Sequence, residues 1–379
     1  MDISDAIRID QEQQQAAVEA SKLDLTKNWL DASTTYSEPR YLLEYKGTGF
    51  GMIGSLCCLT GQAKNGKTFV LTQLMSAALG SSRTGLLRKR EDSRLPQECS
   101  VLYVDTEQEL DISLRVLRRV HYLLGWPLLE NNPRFRVLRL RDELSNDARK
   151  QKFVQALEEV KATCVVLDGL RDIMDDINAQ KEAVELISEL MRLATDNNCV
   201  IMTVLHENPG SDKVRGTIGT ELVNKSADVF VCRKEKKKDG QVIFNVSQRD
   251  ARSKDVDDWH FRVDDSIASF GVPVMLTEDE AQQIDKEELA SLAQAISSVC
   301  PNPHSKRYTD LKNALKETQK IGSTKAERMI SQALSAGILS KPINGRYTYN
   351  NKWNESPKSE PKQNETDPLG PQLFDEPPC

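Results

Sequence analysis

Apolar residues fall along this chain in short runs separated by amphipathic stretches. Ser55–Thr60, Val101–Val104, Cys164–Leu167 and Val200–Leu205 are near-continuous apolar runs, the signature of strands buried on both faces. Phe135–Leu140, introduced by Pro133, reads as a further strand. Between the runs the spacing turns helical. Val70, Leu71, Leu74 and Ala77 repeat within Lys67–Leu79, and Ile112, Leu114, Val116, Leu117 and Val120 within Asp111–Leu124. Ser145 is placed to cap a helix reaching about Val160, and Ala183–Thr195 is a further helix. Strands alternating with helices predict an α/β fold, a parallel sheet covered on both faces. The pattern then changes. Asp228–Cys232, Val242–Val246 and Trp259–Val263 are strand-like and joined by short polar turns, one holding Asp239-Gly240, which predicts an antiparallel extension.

This layout suggests five segments. Residues 1–38 form a polar arm with some helix, 39–275 the α/β core, and 276–303 an acidic helical linker that crosses Pro301-Asn302-Pro303. Residues 304–350 make a second compact unit, and 351–379 a tail rich in Pro, Glu, Lys and Asn that is predicted to be disordered. Arg83–Pro96 is a charged excursion expected to be exposed.

Composition narrows the chemistry. The 379 residues carry a formal net charge of −6, so any nucleic-acid surface must be a local basic patch. Eight cysteines form no C-x-x-C pair and histidines number four, which points to buried reduced thiols rather than a zinc site. The start of the chain lacks a basic region followed by an apolar one, and no apolar run approaches the roughly 20 residues of a membrane span. A cytoplasmic protein without a membrane partner is the expectation by elimination.

Gly61-Gln62-Ala63-Lys64-Asn65-Gly66-Lys67-Thr68 fits G-x-x-x-x-G-K-[ST] between an apolar strand and an amphipathic helix. Glycines let backbone N–H groups converge on phosphate oxygens at the positive end of the next helix. The motif predicts an ATP cradle over Gly61–Thr68, extended by Phe69, with Lys67 on the β- and γ-phosphates and the Thr68 hydroxyl on Mg²⁺. Asp168, at the end of Val165-Val166-Leu167, suits a second Mg²⁺ anchor; the plain alternative is a turn acid before Gly169. Gly169 and Leu170 leave no carboxylate directly after Asp168, whereas Asp105 and Glu107 end a different strand. Glu107 is the favoured general base, with Asp105 the second choice and a helix-capping acid the alternative. His206 ends the strand Val200–Leu205, where it could sense the γ-phosphate or simply be solvated.

Together these residues resemble the RecA/DnaB-like superfamily, and within it the hexameric replicative helicases of the plasmid RepA type, over about Pro39 to Asp264. The resemblance implies a RecA-like P-loop core in which Glu107 aligns the attacking water. Val214-Arg215-Gly216-Thr217-Ile218-Gly219-Thr220 is similar to that family's R-G-[ST]-[ST] segment, which implies that Arg215 contacts a γ-phosphate held by the next subunit of a ring. Arg249 and Arg252 are secondary candidates at the interface. Glu207-Asn208-Pro209 follows His206 where the family carries a second His or a Lys, which leaves open how nucleotide and DNA loop are coupled. The implied function is an ATP-driven DNA helicase or translocase of a plasmid or mobile element, with single-stranded DNA at the core. The alternative is an ATP-switched DNA-binding regulator or recombination accessory without unwinding.

Tyr308–Asn350 has the pattern of a winged helix-turn-helix: helices Leu311–Glu317 and Thr324–Ala336, a Gly337-Ile338-Leu339 stop and a turn at Asn344-Gly345. Lys306, Arg307, Lys312, Lys316, Lys320, Lys325, Arg328, Lys341 and Arg346 outnumber Asp310, Glu317 and Glu327. That excess fits duplex DNA; a protein-binding module is the alternative.

Overall fold

The computed structural model describes residues 29–33, 38–91, 98–208, 211, 213–237, 240–340 and 344–353. Most of the predicted arm and tail lie outside the described residues, as do Asp239, Lys341 and Cys379. The chain divides into two compact units, Met1–Pro39 and Arg40–Cys379, and every element named below lies in the second.

In chain order the core comprises β1 (Tyr41–Tyr45), β2 (Thr48–Met52), β3 (Leu56–Gly61), α1 (Lys67–Ala78), β4 (Leu87–Lys89), β5 (Val101–Asp105), α2 (Leu110–Leu124), β6 (Phe135–Arg139), α3 (Asn146–Val160), β7 (Cys164–Asp168), α4 (Gln180–Asp196), β8 (Val200–His206), α5 (Gly216–Lys225), β9 (Asp228–Lys236), β10 (Val242–Ala251), β11 (Trp259–Asp264) and β12 (Val272–Met275). The main sheet has the order β12-β11-β10-β9-β3-β8-β7-β5-β6. Strands from β9 to β6 pair in parallel, and β10, β11 and β12 add antiparallel neighbours at one edge. Period-two alternation splits each buried strand between two cores. In β5, Val101 and Tyr103 join the face under α1 and α2, while Leu102 and Val104 join the face under α3 and α4. Ser145 caps α3 as its sequence predicts, its hydroxyl accepting from the Ala148 amide at 3.1 Å.

Register sets the site. Asp105 lies opposite Asp168, Asp168 opposite Val204 and Gly61 opposite His206. Strands β5 and β7 therefore end level with each other, β8 and β3 run two residues further, and the polar end residues of all four share the carboxyl edge where α/β sheets bind ligands.

Two expectations need correction. Part of the Arg83–Pro96 excursion is structural: β4 pairs with β1, Leu87 is fully buried, and the Thr84 hydroxyl donates to the Ser81 and Leu87 carbonyls. Arg88 and Arg83 stay outside on polar partners, Arg88 on Glu44 and Arg83 on the Tyr122 carbonyl, so charged residues overlie an apolar anchor. The predicted linker is also not one. Residues Glu278–Val299 form a long helix, α6, whose Leu292, Ala293, Ile296 and Val299 enter a third core. That core continues through β13 (Ser305–Arg307), α7 (Tyr308–Gln319), α8 (Ser323–Ser335), β14 (Leu339–Ser340) and β15 (Arg346–Tyr349), with sheet order β13-β15-β14. The acidic first half of α6 hides the apolar stripe of its second half from a reading by composition. The seven described cysteines are buried and unbridged. Among the described residues no helix is long and apolar enough to cross a membrane.

Lys237, just past β9, bridges Glu235 at 3.5 Å and Glu288 of α6 at 3.2 Å. Burial first, and then Glu235, push the Glu288 carboxyl up to about 7, with Lys237 opposing. A raised carboxyl pKa means that the folded state holds the extra proton, so stability falls as pH rises from the unfolded value through about 7. Thermal unfolding of the whole chain should show a midpoint lower at pH 8 than at pH 5.5, and Glu288→Gln should flatten that slope. The pair is half-exposed, so the expected change is only about 2 °C.

Candidate nucleotide site

The loop between β3 and α1 is shaped by two glycines. Gly61 has φ +147°, and a Cβ there would stand 2.5 Å from the Cys232 carbonyl oxygen; Gly66 has φ +84°, and its Cβ would meet the Phe244 ring at 2.4 Å. Only glycine lets the loop lie this close to β9 and β10. Helix α1 opens directly behind it with no acidic residue in its first turn and no side-chain cap on its N-terminal amides. An anion is the natural complement of that end.

Lys67 is buried and folds back over its own loop. Its ammonium donates to the Gly61 and Gln62 carbonyls, both at 2.9 Å, and to His206 Nδ1 at 3.0 Å. Burial draws its pKa below the usual lysine range, opposed by Asp168, Cys232, Glu107 and Glu207. An ammonium can only donate, so this contact assigns Nδ1 of His206 as the acceptor and places the ring proton on Nε2. Nε2 in turn faces Glu107 Oε2 at 3.7 Å. His206 is the main group holding Glu107 below its ordinary carboxylate range, against burial and with help from Lys67 and Arg171. P-loop lysine, strand-end histidine and strand-end glutamate thus form one chain of contacts.

The structure separates the two candidate acids of β5. Asp105 is fully buried and committed: Oδ1 accepts from the Glu107 and Gln108 amides at 3.1 and 2.9 Å, and Oδ2 from the Ser113 hydroxyl at 2.6 Å. It fixes the turn that carries Glu107 outward. Glu107 does not cap α2, whose N-cap position is Glu109. Thr106 completes the turn, its hydroxyl lying within 3.1 Å of the Asp168 and Gly169 carbonyls and of Asp172 Oδ2, which share its one proton as acceptors.

Asp168 is buried beside these acids. Burial, then Glu107 and Asp105, push it up to about 7, while the Tyr103 hydroxyl donates to Oδ2 at 3.0 Å and Lys67 opposes the shift. Three carboxylates on adjacent strand ends against one lysine leave a local negative excess that a divalent cation would balance. Among the described residues no cluster of three His, Cys, Asp or Glu could hold a metal alone. That donor set suits Mg²⁺, which takes one or two protein oxygens and completes its shell with phosphates and water. The half-buried Thr68 and Asp168 are the residues available.

Other expected residues are placed differently. The ring of Phe69 is set in packing, 6.1 Å from the Phe244 ring and 4.3 Å from the Arg119 guanidinium, which leaves its backbone as the part beside the cradle. Arg215 precedes α5, and its amide donates to the His206 carbonyl at 2.9 Å. Its exposed side chain lines a narrow cavity with Glu107, Arg171 and His206 of the same chain. Arg252 donates to the Asn224 and Lys225 carbonyls at the end of α5, and Arg249 pairs with Asp250 at 2.8 Å. A cation on helix-terminal carbonyls is a structural use of Arg252. Sequence reasoning missed Tyr103, Asp172 and Arg171. Only the three-residue spacing of Leu170 and Ile173, which turns Arg171 and Asp172 outward, could have signalled the last two.

A family model described as an AAA domain matches residues 20–212, half of the sequence. The chain belongs to the AAA domain family. The matched part of this AAA domain protein holds the cradle, Glu107, Asp168 and His206, while Arg215, α5 and β9 to β12 lie beyond it. Membership of this P-loop ATPase family fits the large, mostly parallel sheet and implies nucleotide binding. A solved structure with a similar fold is that of a KaiC-like protein from the hyperthermophilic archaeon Pyrococcus horikoshii, with 16% identity, a TM-score of 0.43 and coverage of 64% of this chain and 100% of that one. No curated protein matches the chain.

Proposed function

We propose that this AAA domain protein is a Mg-ATP-dependent DNA helicase or translocase of a plasmid or mobile element, working as a ring of identical subunits. The observation that carries the hydrolytic part is the contact chain from Lys67 through His206 to Glu107. A triphosphate in the cradle would draw the Lys67 ammonium from the loop carbonyls to its β- and γ-oxygens. His206 Nδ1 then loses its donor, so the state of the γ-phosphate is felt one residue from Glu207 and the loop that follows. Glu107 orients a water by accepting its hydrogen bond. As the water oxygen bonds to Pγ, the bond from Pγ to the bridging oxygen breaks, its electron pair leaves with ADP, and the water's proton passes to Glu107. Thr68 and Asp168 would hold Mg²⁺, which when bound supplies positive charge against the phosphate oxygens. Arg215 is the proposed arginine finger for charge on the γ-phosphoryl group.

Support for DNA comes from the C-terminal unit. Its order α6-β13-α7-α8-β14-β15 and sheet order β13-β15-β14 support reading it as a winged helix, with α8 as the groove-reading helix and α6, the supposed linker, as its first helix. Arg307 and Arg346 are direct cross-strand partners, both exposed. Like charges directly opposite destabilise a free sheet and suit a surface that meets phosphates. The same feature favours a second reading, an ATP-switched duplex-binding regulator. ATPase and strand-displacement assays decide between them. Lys67→Ala should abolish nucleotide binding, single-stranded DNA should stimulate the unsubstituted chain, and hydrolysis without displacement would select the regulator. Mixing Arg215→Ala with Lys67→Ala subunits should restore part of the activity if the finger reaches a neighbour's nucleotide.

A further inference from the structure

We propose that Arg171 is a second γ-phosphate-binding arginine, supplied in cis by the chain that holds the nucleotide; this rests on the ATPase reading above. Arg171 stands three residues beyond Asp168, on a single 3-10 turn, Leu170–Ile173. Leu170 and Ile173 are buried in the core on the α4 face, which leaves Arg171 outside on the carboxyl edge of the sheet. The turn is pinned to the neighbouring strand end, because Asp172 Oδ2 accepts from the Thr106 hydroxyl at 2.9 Å, next to Glu107.

Two adjoining cavities converge here. The narrow one is bordered by Glu107, His206, Arg171 and Arg215. The wider one, about 420 Å³, is again bordered by Arg171 and Arg215. Each carboxylate around it accepts a hydrogen bond, Asp172 from Thr106, Asp175 from the Asn146 side-chain amide at 3.1 Å and Asp176 from the Asn178 backbone amide at 2.9 Å. Among the described residues neither Arg171 nor Arg215 has a side-chain hydrogen bond or ion pair. The Arg171 guanidinium on the narrow cavity, beside the proposed general base and His206, is placed for a phosphoryl group of the same chain's nucleotide. A γ-phosphate is favoured over a DNA phosphodiester because Glu107 and His206 border the same narrow cavity. As Pγ passes from one oxygen to the other, negative charge on its three remaining oxygens would be met by Arg171 from the same chain, whereas the proposed finger Arg215 serves the nucleotide of a neighbour.

The test uses the full chain with Arg171→Ala and Arg171→Lys, circular dichroism showing that each folds. Turnover should fall by about 10²–10³ in Arg171→Ala, the range for loss of one preorganised donor to transition-state charge, with partial recovery in Arg171→Lys. ADP should bind as before, while trapping of ADP with aluminium fluoride and Mg²⁺ should be lost. Subunits carrying Arg171→Ala, mixed with Lys67→Ala subunits, should not regain activity, because the arginine and the lysine must serve one nucleotide. Three results would overturn the proposal: undiminished fluoride trapping, regained activity in the mixture, or intact basal turnover with loss only of the response to single-stranded DNA. The last would make the ligand a phosphodiester. Failure of the ATPase reading is distinguishable, since the unsubstituted chain would then hydrolyse nothing.

Discussion

Replacing Glu107 by Gln should lower ATP turnover by about 10²–10⁴ while leaving nucleotide affinity within a factor of a few, which is the range for removing a positioned general base. The amide keeps the size and the half-buried setting of the carboxylate but cannot accept the water's proton. The neighbouring acid cannot take over, because Asp105 is fully buried and both its oxygens are held by the Glu107 and Gln108 amides and the Ser113 hydroxyl. Asp168 is buried, its Oδ2 accepting from the Tyr103 hydroxyl at 3.0 Å, and is assigned to the metal rather than to the water. Binding should survive because the groups aimed at phosphate, Lys67 and the amides opening α1, do not depend on Glu107. Single-turnover hydrolysis measured beside a fluorescent-nucleotide titration separates the two steps. Normal turnover in this variant would remove Glu107 from the mechanism and with it the assignment of the catalytic strand.

Gly169→Ala should unfold more readily by about 3 kcal/mol and lose most of its activity, although the change adds one methyl group. Gly169 has φ +106°, a conformation that L residues rarely adopt, and its new Cβ would stand 1.9 Å from Thr106 Oγ1 and 2.9 Å from Glu107 Cγ. Relief would require Thr106 to move, and its buried hydroxyl is tied to three acceptors within 3.1 Å. Backbone strain of about 1–2 kcal/mol adds to an overpacking cost of about 1–3 kcal/mol. The expected loss in melting temperature is about 6–12 °C. Gly322→Ala is the control: Gly322 has φ −73° and open space around its Cβ position, so the change should stay under about 1 kcal/mol. Equal melting temperatures for the two variants would show that the Thr106 clamp does not hold the turn beneath Glu107.

Part of this architecture is legible in the order of residues alone. Buried parallel strands announce themselves as apolar runs because both faces are covered, so Val101–Asp105, Cys164–Asp168 and Val200–His206 could be located with the polar residue that ends each. The phosphate cradle is equally local: its glycines, Lys67 and Thr68 lie within one loop and the helix it opens, and the loop's backbone sets what they can bind. Strands and linkers whose partners are distant in sequence were not legible. Leu87 sits beside the exposed Leu86 in a charged stretch, and only pairing of β4 with β1 makes it core. The helix Glu278–Val299 reads as a linker because its apolar positions begin halfway along, and only packing against α7 and α8 reveals their use.

What the sequence by itself determined is the family of chemistry: a glycine loop for phosphate, two strand-end acids and a strand-end histidine, because each is a local pattern of a few residues. The tertiary structure alone decided which of Asp105 and Glu107 faces outward, which His206 nitrogen carries the proton, and that Arg171 and Arg215 border one cavity. Those outcomes depend on sheet register, which lines up residues tens of positions apart, and on who claims each hydrogen bond once the strand ends are brought together. No spacing along the chain encodes that allocation, because the donors and acceptors meet only after the core has closed.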